Sequence, residues 1–153
     1  MNTVPLREAA RAVVLDPHQR VLLLAYDEDG GFWATPGGSL EAGEDYPTAV
    51  LRELAEEIGA ADVLLVAQIA ERSQTHPVGG REVRQIEKYY LARIAASNID
   101  PSRATQTDTI RTSRWWTLSE LRATSETVYP LGLADLIADI LSNGVPENPA
   151  VLG

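Results

Sequence analysis

The sequence contains no cysteine and no long apolar run. Without cysteine the chain can form neither a disulfide framework nor a zinc site built from thiolates. No stretch approaches the roughly 18 consecutive apolar residues that a membrane-spanning helix needs. The segment from Met1 to Arg7 also lacks the apolar core of a signal peptide. We therefore expect a cytoplasmic protein without a membrane partner.

Basic residues are also scarce, because 13 lysines and arginines stand against 22 acidic residues and give a formal net charge of −9. A chain this acidic is poorly suited to release counterions from a phosphate backbone, so we expect no nucleic-acid polymer as a partner. Small phosphorylated substrates are not excluded, because a bound divalent cation can reverse the local sign of the field.

The length of 153 residues fits one domain that can bury a core without disulfides. We expect this domain to span residues 1–142, followed by a mobile tail of residues 143–153 that is rich in Pro, Gly and Asn. The predicted strands are 9–15, 21–26, 32–34, 63–70 (extending towards Gln74), 83–95 and 114–117, and the predicted helices are 45–58, 118–123 and 130–141. This order indicates an α+β fold with a mixed sheet sandwiched between helices.

The predicted helix after Asp45 carries three glutamates on one stripe, Glu53, Glu56 and Glu57, spaced i, i+3 and i+4. We expect this stripe to lie opposite a packing stripe made of Leu51, Leu54, Ala55 and Ile58. Like charges at this spacing repel, and Arg52 is the only nearby cation. Clustered carboxylates therefore favour a hard divalent cation such as Mg²⁺.

A glycine pair, Gly37 and Gly38, lies shortly before this helix. Glycines let a backbone approach a ligand closely, although a tight turn alone also explains such a pair. The two histidines, His18 and His76, both lie outside this segment, which argues against zinc.

Residues 38–60, GSLEAGEDYPTAVLRELAEEIGA, resemble the Nudix box, G-x5-E-x7-R-E-U-x-E-E-x-G-U with U a bulky aliphatic residue. Eight positions match at the required spacing: Gly38, Glu44, Arg52, Glu53, Leu54, Glu56, Glu57 and Gly59. The last position, Ala60, departs from the pattern at a place expected to pack rather than react. The flanking segments Trp33–Pro36 and Arg114–Leu121 also resemble the family.

The resemblance implies a Nudix fold and a pyrophosphohydrolase that uses Mg²⁺, with Mn²⁺ as a substitute. It implies that Glu56 and Glu57 bind the metal directly and that Glu53 is a further ligand or orients the attacking water. The carbonyl of Gly37 or Gly38 is a further expected ligand. Arg52 and Glu44 are expected to hold these groups in place through an ion pair.

The general base is less well defined, because in many relatives it is an acid outside the box. Asp108, six residues before Arg114, has the corresponding position, so it is the candidate, with Glu87 and Glu120 as rivals. For contacts to the substrate, the candidates are Arg72, Arg84, Tyr89 and Trp33.

The substrate class stays open among nucleoside triphosphates, oxidised nucleotides and nucleoside diphosphates linked to another moiety, such as ADP-ribose or a nucleotide sugar. One alternative is a catalytically silent nucleotide-binding or regulatory protein with the same fold. An isopentenyl diphosphate isomerase would need a nucleophilic cysteine, which is absent. The resemblance also makes a homodimer an open prediction.

Overall fold

A computed structural model of the chain describes residues 4–106 and 109–153. The described residues form nine strands: β1 Leu6–Leu15, β2 Val21–Tyr26, β3 Phe32–Ala34, β4 Gly37–Ser39, β5 Leu64–Val78, β6 Arg81–Arg93, β7 Ile110–Trp116, β8 Val128–Tyr129 and β9 Ala150–Leu152. The helices are α1 Tyr46–Ile58, α2 Leu118–Ala123 and α3 Leu133–Asn143. No helix in the described part of the chain has the length and apolarity needed to cross a membrane.

The strands form one mixed sheet in the order β8-β3-β2-β1-β6-β5-β9, with β4 added on β1 and β7 added on β2. β1 and β6 run parallel over their whole paired length, whereas β5 and β6 form a long antiparallel hairpin. β1 and β2 pair only where Leu15 meets Val21. Beyond that point β1 pairs with β4 and β2 pairs with β3, so the two strands diverge and open the sheet.

Apolar cores cover both faces of the sheet because side chains alternate along each strand. Ala10, Ala12 and Val14 of β1 pack with the apolar side of α1, whereas Val13 and Leu15 pack with residues of α2 and α3. The predicted α+β architecture, a mixed sheet between helices, is therefore confirmed.

The structure corrects the predicted orientation of α1. Leu51 and Ala55 are exposed, although they were expected to pack, whereas Glu53 is only 8% exposed. The buried face contains Val50, Leu54 and Ile58 next to Glu53, so acidic and apolar stripes adjoin rather than oppose each other. The ends of α1 match expectation. Asp45 caps it by accepting from the Thr48 N–H, and Gly59 ends it in a left-handed conformation.

Three short strands, β4, β8 and β9, were not predicted, because each has only two or three residues and is defined by its partner strand. The expected mobile tail contains β9, which pairs in parallel with residues 70–72 of β5. The predicted loop of residues 96–112 is shorter, because β7 begins at Ile110. The hairpin between β5 and β6 turns at Gly79 and Gly80, so β5 is longer than expected, whereas β6 has the expected length but begins and ends two residues earlier.

Candidate active site

Arg52 lies at the centre of an acidic cluster formed by the loop before α1 and the helix itself. Its Nε and Nη2 donate to the two carboxylate oxygens of Glu44, each at 2.8 Å. Its Nη1 donates to Glu53 Oε1 and Glu56 Oε2, each at 3.0 Å. Glu41 lies 3.7 Å from Nε. We call these five residues the Arg52 cluster, and one guanidinium there faces four carboxylates.

The expected ion pair between Arg52 and Glu44 is present, and its geometry is bidentate. These hydrogen bonds lower the pKa of Glu44 to about 2, so this carboxylate is ionised throughout the physiological range. Arg52 also donates from Nη2 to the Ser39 carbonyl, 3.1 Å away, which ties β4 to the helix.

The glycine pair of β4 brings the backbone against the acidic helix. The Gly37 N–H donates to Glu57 Oε1 at 2.8 Å, and its φ of +143° lies outside the range that residues with a side chain favour. A Cβ on Gly37 would clash with the backbone of Ala10 on β1. A Cβ on Gly38 would lie 2.6 Å from Glu53 Oε1. Gly37 therefore requires glycine, whereas a side chain at Gly38 would displace the Glu53 carboxylate.

Glu57 lies where β1 and β2 diverge, between Tyr26 and Arg11. Burial raises its pKa to about 7, although the hydrogen bond from Gly37 and the charge of Arg11 partly oppose this rise. Burial also raises the pKa of Glu53. In the described residues, these are the two carboxylates with a raised pKa, which is typical of a functional site.

Glu57 opens into a cleft of about 550 Å³ between the two halves of the sheet. This volume is suited to a nucleotide-sized ligand. The cleft has one wall with two arginines and one aromatic wall, in addition to Gly37, Glu57 and two acidic residues, Glu28 and Asp29.

The charged wall consists of Arg11, Arg72 and Glu87, which we call the Glu87 cluster. Arg11 Nε donates to Glu87 Oε2 at 3.0 Å, and Arg72 Nη1 donates to Glu87 Oε1 at 3.2 Å. Tyr89 donates its hydroxyl to Glu87 Oε2 at 3.4 Å. Glu87 is only 7% exposed, so a buried carboxylate holds two arginines at the edge of the cleft.

The aromatic wall consists of Tyr26, Phe32 and Tyr129. Tyr26 stacks on Phe32 with ring centroids 5.2 Å apart, and Phe32 and Tyr129 pack edge to face with centroids 5.4 Å apart. Tyr129 is 44% exposed, so this row of rings ends in a ring that solvent reaches. Such a ring can stack on a planar ligand.

Residues 5–136 match the family model described as NUDIX domain. The chain belongs to the Nudix family. As a member of this family it is a hydrolase that acts on pyrophosphate bonds. The Nudix fold expected from the sequence is therefore confirmed.

Among curated relatives, an RNA pyrophosphohydrolase of Rhodospirillum rubrum is 25% identical over 152 residues, which cover 94% of this chain and 92% of the relative. An 8-oxo-dGTP diphosphatase of Proteus vulgaris is 45% identical over 53 residues, which cover 33% of this chain and 47% of the relative. Several further RNA pyrophosphohydrolases match over about half of their own length. A MutT protein of Methanosarcina mazei has the same fold, with a TM-score of 0.66, 17% identity and coverage of 93% of this chain and 97% of that chain.

The carboxylate oxygens on α1 of this Nudix chain are ligands of the kind that a hard divalent cation prefers. Glu53 and Glu56 approach the same nitrogen of Arg52, and Gly38 leaves room beside the Glu53 carboxylate. Within residues 4–106 and 109–153, however, no three acidic or histidine side chains converge into a group ready to hold a metal ion. The carboxylates would therefore have to turn from Arg52 and Gly37 to reach a shared ion.

Several predicted site residues have a clear place in the structure. Arg72 and Tyr89 line the cleft. Trp33 does not line it, because it is 7% exposed and packs edge to face on Trp116 in the core. Arg84 is exposed on the β5–β6 hairpin, where its Nε lies 3.5 Å from the Ser73 hydroxyl.

The three candidates for the general base differ in their position relative to the cleft. Asp108 lies outside the described residues. Glu120 caps α2 and pairs with Arg114, away from the cleft. Glu87 does line the cleft, but it accepts hydrogen bonds from two arginines and a tyrosine.

Sequence reasoning missed Arg11 and the whole aromatic wall. Arg11 is the only charged residue among the last seven of β1, and a charge within such an apolar strand is a detectable signal. Alternation along β6 places Gln85, Glu87 and Tyr89 on one face, and all three line the cleft. No comparable signal marks Tyr129, because β8 is only two residues long.

Proposed function

We propose that this protein is a Mg²⁺-dependent pyrophosphohydrolase that cleaves a diphosphate bond in a nucleotide. The observation that carries the proposal is Glu57. It combines a pKa of about 7 with a position at the edge of a nucleotide-sized cleft, one helical turn from Glu53. The names of the curated relatives, which refer to nucleotide pyrophosphate chemistry, support the same class of reaction.

The proposed metal ligands are Glu53, Glu56, Glu57 and the carbonyl of Gly37 or Gly38. Carboxylate and carbonyl oxygens suit Mg²⁺, with Mn²⁺ as a substitute. Bound there, the metal would neutralise phosphate oxygens and lower the pKa of a coordinated water. Arg52 would act through these ligands, because it anchors Glu44 bidentately and contacts Glu53 and Glu56.

In the proposed reaction, a water oxygen bonds to one phosphorus of the substrate. The bond between that phosphorus and the bridging oxygen breaks, and the leaving phosphate keeps the bridging oxygen and the electron pair. The proton of the water passes to a carboxylate. We propose Asp108 as the carboxylate that accepts this proton, and the proposal rests only on its position in the sequence. Glu87 is a poor acceptor, because it is already engaged by Arg11, Arg72 and Tyr89.

The aromatic wall is the proposed site for the nucleobase. Phe32 and the exposed face of Tyr129 border the same cleft as Glu57. A base stacked there would place its 5′-phosphates towards Glu57 and the arginines, because a proposed metal ligand and the positively charged groups of the cleft lie there.

One observation favours a second candidate, a catalytically silent nucleotide-binding protein. Glu53 and Glu56 both hydrogen-bond to Arg52 instead of facing one another around a shared point. If Arg52 does not release them, the chain binds nucleotides without hydrolysing them.

A phosphate-release screen with Mg²⁺ separates the two candidates. The panel is nucleoside triphosphates, 8-oxo-dGTP, ADP-ribose, nucleotide sugars, dinucleoside polyphosphates and a short RNA with a 5′-triphosphate, and Glu57→Gln is the matched control. Turnover that the control lacks supports the proposal. Absence of turnover with every substrate, while calorimetry still detects nucleotide binding, would favour the silent protein. The RNA arm also tests the prediction that no nucleic-acid polymer is a partner.

A further inference from the structure

We propose that the Glu87 cluster binds the terminal phosphate of a nucleoside 5′-triphosphate, and that Glu87 positions both arginines for this contact. The inference rests on the proposed function and deepens it by naming the substrate class. It separates triphosphates, whose chain ends in a charged phosphate, from nucleotide sugars and ADP-ribose, in which a sugar follows the scissile diphosphate.

The charge of the cluster favours an anion. Two guanidinium groups share one carboxylate, so the cluster carries a net positive charge in a chain whose formal net charge is −9. Arg11 and Arg72 keep 26% and 21% of their side-chain surface exposed, and both border the cleft. Guanidinium groups are well matched to phosphate oxygens in geometry and charge.

Donors remain for such a ligand. Within the described residues, Arg11 uses only Nε in a side-chain hydrogen bond, and Arg72 uses Nε and Nη1. The unused nitrogens of both arginines are not among the buried polar atoms that lack a partner, so they remain open to solvent. Both Nη groups of Arg11 and Nη2 of Arg72 are therefore available to phosphate oxygens.

The position of the cluster relative to Glu57 fits a phosphate chain. Arg11 pairs with Gly37 across β1 and β4, and the Gly37 N–H holds Glu57. Arg11 also lies close enough for its charge to act on the Glu57 carboxylate. A diphosphate at Glu57 thus has an arginine beside it, and Arg72 lies further along the same wall on the far side of Glu87.

Glu87 is suited to positioning because it is more buried than either arginine that it holds. Its two oxygens orient Arg11 and Arg72 separately, so both side chains are ordered before a ligand arrives. The Gly153 carbonyl adds a second anchor, 3.0 Å from Arg72 Nε.

Steady-state kinetics on GTP and ADP-ribose test the substrate contact in Arg11→Gln and Arg72→Gln. We expect KM for GTP to rise about tenfold or more in each variant, because a charged hydrogen bond is lost. We expect kcat to change less than threefold in both variants. KM for ADP-ribose should change little in Arg72→Gln. Arg11 lies beside the diphosphate that both substrates contain, so Arg11→Gln is compared on GTP alone. The matched control is Arg93→Gln, at the far end of β6, where the arginine side chain hydrogen-bonds only to Gln19 among the described residues. Equal losses on both substrates in Arg72→Gln, or no loss on GTP in either variant, would overturn the inference.

Glu87→Gln tests the positioning role through the direction in which KM for GTP changes. It makes the cluster more positive, so a purely electrostatic role would lower KM for GTP. A positioning role predicts a higher KM for GTP, with partial rescue in Glu87→Asp. An unchanged or lower KM overturns that role. Thermal unfolding shows whether each variant is folded. If Glu87→Gln does not fold, KM for GTP is compared between Glu87→Asp and the wild-type protein alone.

Calorimetry with inorganic tripolyphosphate in EDTA gives a measurement that does not depend on turnover. We expect Arg72→Gln to weaken its binding about tenfold and Arg93→Gln to leave it unchanged. If wild-type protein hydrolyses nothing, the proposed function fails regardless of the arginine variants. If it hydrolyses ADP-ribose in preference to GTP, only the present inference fails.

Discussion

The Arg52 cluster and the Glu87 cluster are built from the same two residue types in opposite proportions. In the first, one arginine faces four glutamates, and in the second, one glutamate holds two arginines. The first is therefore suited to a cation and the second to an anion, although both have members close to Glu57. A salt bridge by itself says little about function, whereas the charge left over after pairing indicates what a site can bind.

The largest effect that we expect comes from Glu57→Gln, which removes the carboxylate between the two clusters. We predict that kcat falls at least about 100-fold, because a proposed metal ligand loses its charge. The fold should persist, since Gln keeps the shape and can still accept from the Gly37 N–H. Stopped-flow or phosphate-release kinetics together with circular dichroism measure both quantities. Unchanged turnover would contradict the central role of Glu57.

A smaller effect is expected from Arg52→Lys, which keeps the charge of the Arg52 cluster but removes its bidentate fork. We predict that kcat/KM falls about 10- to 100-fold, as is typical when a residue that orients metal ligands is changed. Mg²⁺ titration of activity should show weaker apparent metal affinity. An effect no larger than that of Arg93→Gln would mean that the cluster needs only its charge.

Tyr129→Ala tests a contact that should be independent of both clusters, because the proposed stacking involves no charge. We predict a rise in KM for nucleoside triphosphates of about tenfold, the range measured for base stacking on aromatic side chains. Tyr129→Phe should keep KM near the wild-type value. Inhibition by inorganic tripolyphosphate, which has no base, should not change. A loss of tripolyphosphate inhibition would instead place Tyr129 in the phosphate contacts.

The smallest effect concerns stability rather than rate. The folded-state pKa of Glu57, about 7, lies above its ordinary value of 4.5, so the fold favours the protonated form. In EDTA, the contribution of Glu57 to the free energy of unfolding should therefore be largest below about pH 4.5. This contribution should be lost as the pH rises to about 7. Glu57→Gln should flatten the slope of thermal stability in this range. An identical slope in both proteins would contradict the raised pKa.

Arg52 and Arg11 differ in whether their ion pairs could be predicted from the sequence. The ion pair of Arg52 and Glu44 was predictable, because both belong to one local motif of fixed spacing. Arg11 is 76 residues from Glu87, and only the parallel pairing of β1 with β6 brings them together. The orientation of α1 was mistaken for a related reason, since a helical wheel does not show that an acidic stripe can adjoin the packed face.

By itself, the sequence determined the order of most helices and strands and the spacing of the glutamates, glycines and arginine of the box, which follow from the short-range rules of helix and strand formation. The reaction class followed from the resemblance of that spacing to the Nudix box. Only the tertiary structure decided which wall of the cleft is positive, which is aromatic, and that Glu57 lies between them. The reason is physical: the pKa of a carboxylate and the net charge of a cluster depend on burial and on neighbours that are distant along the chain.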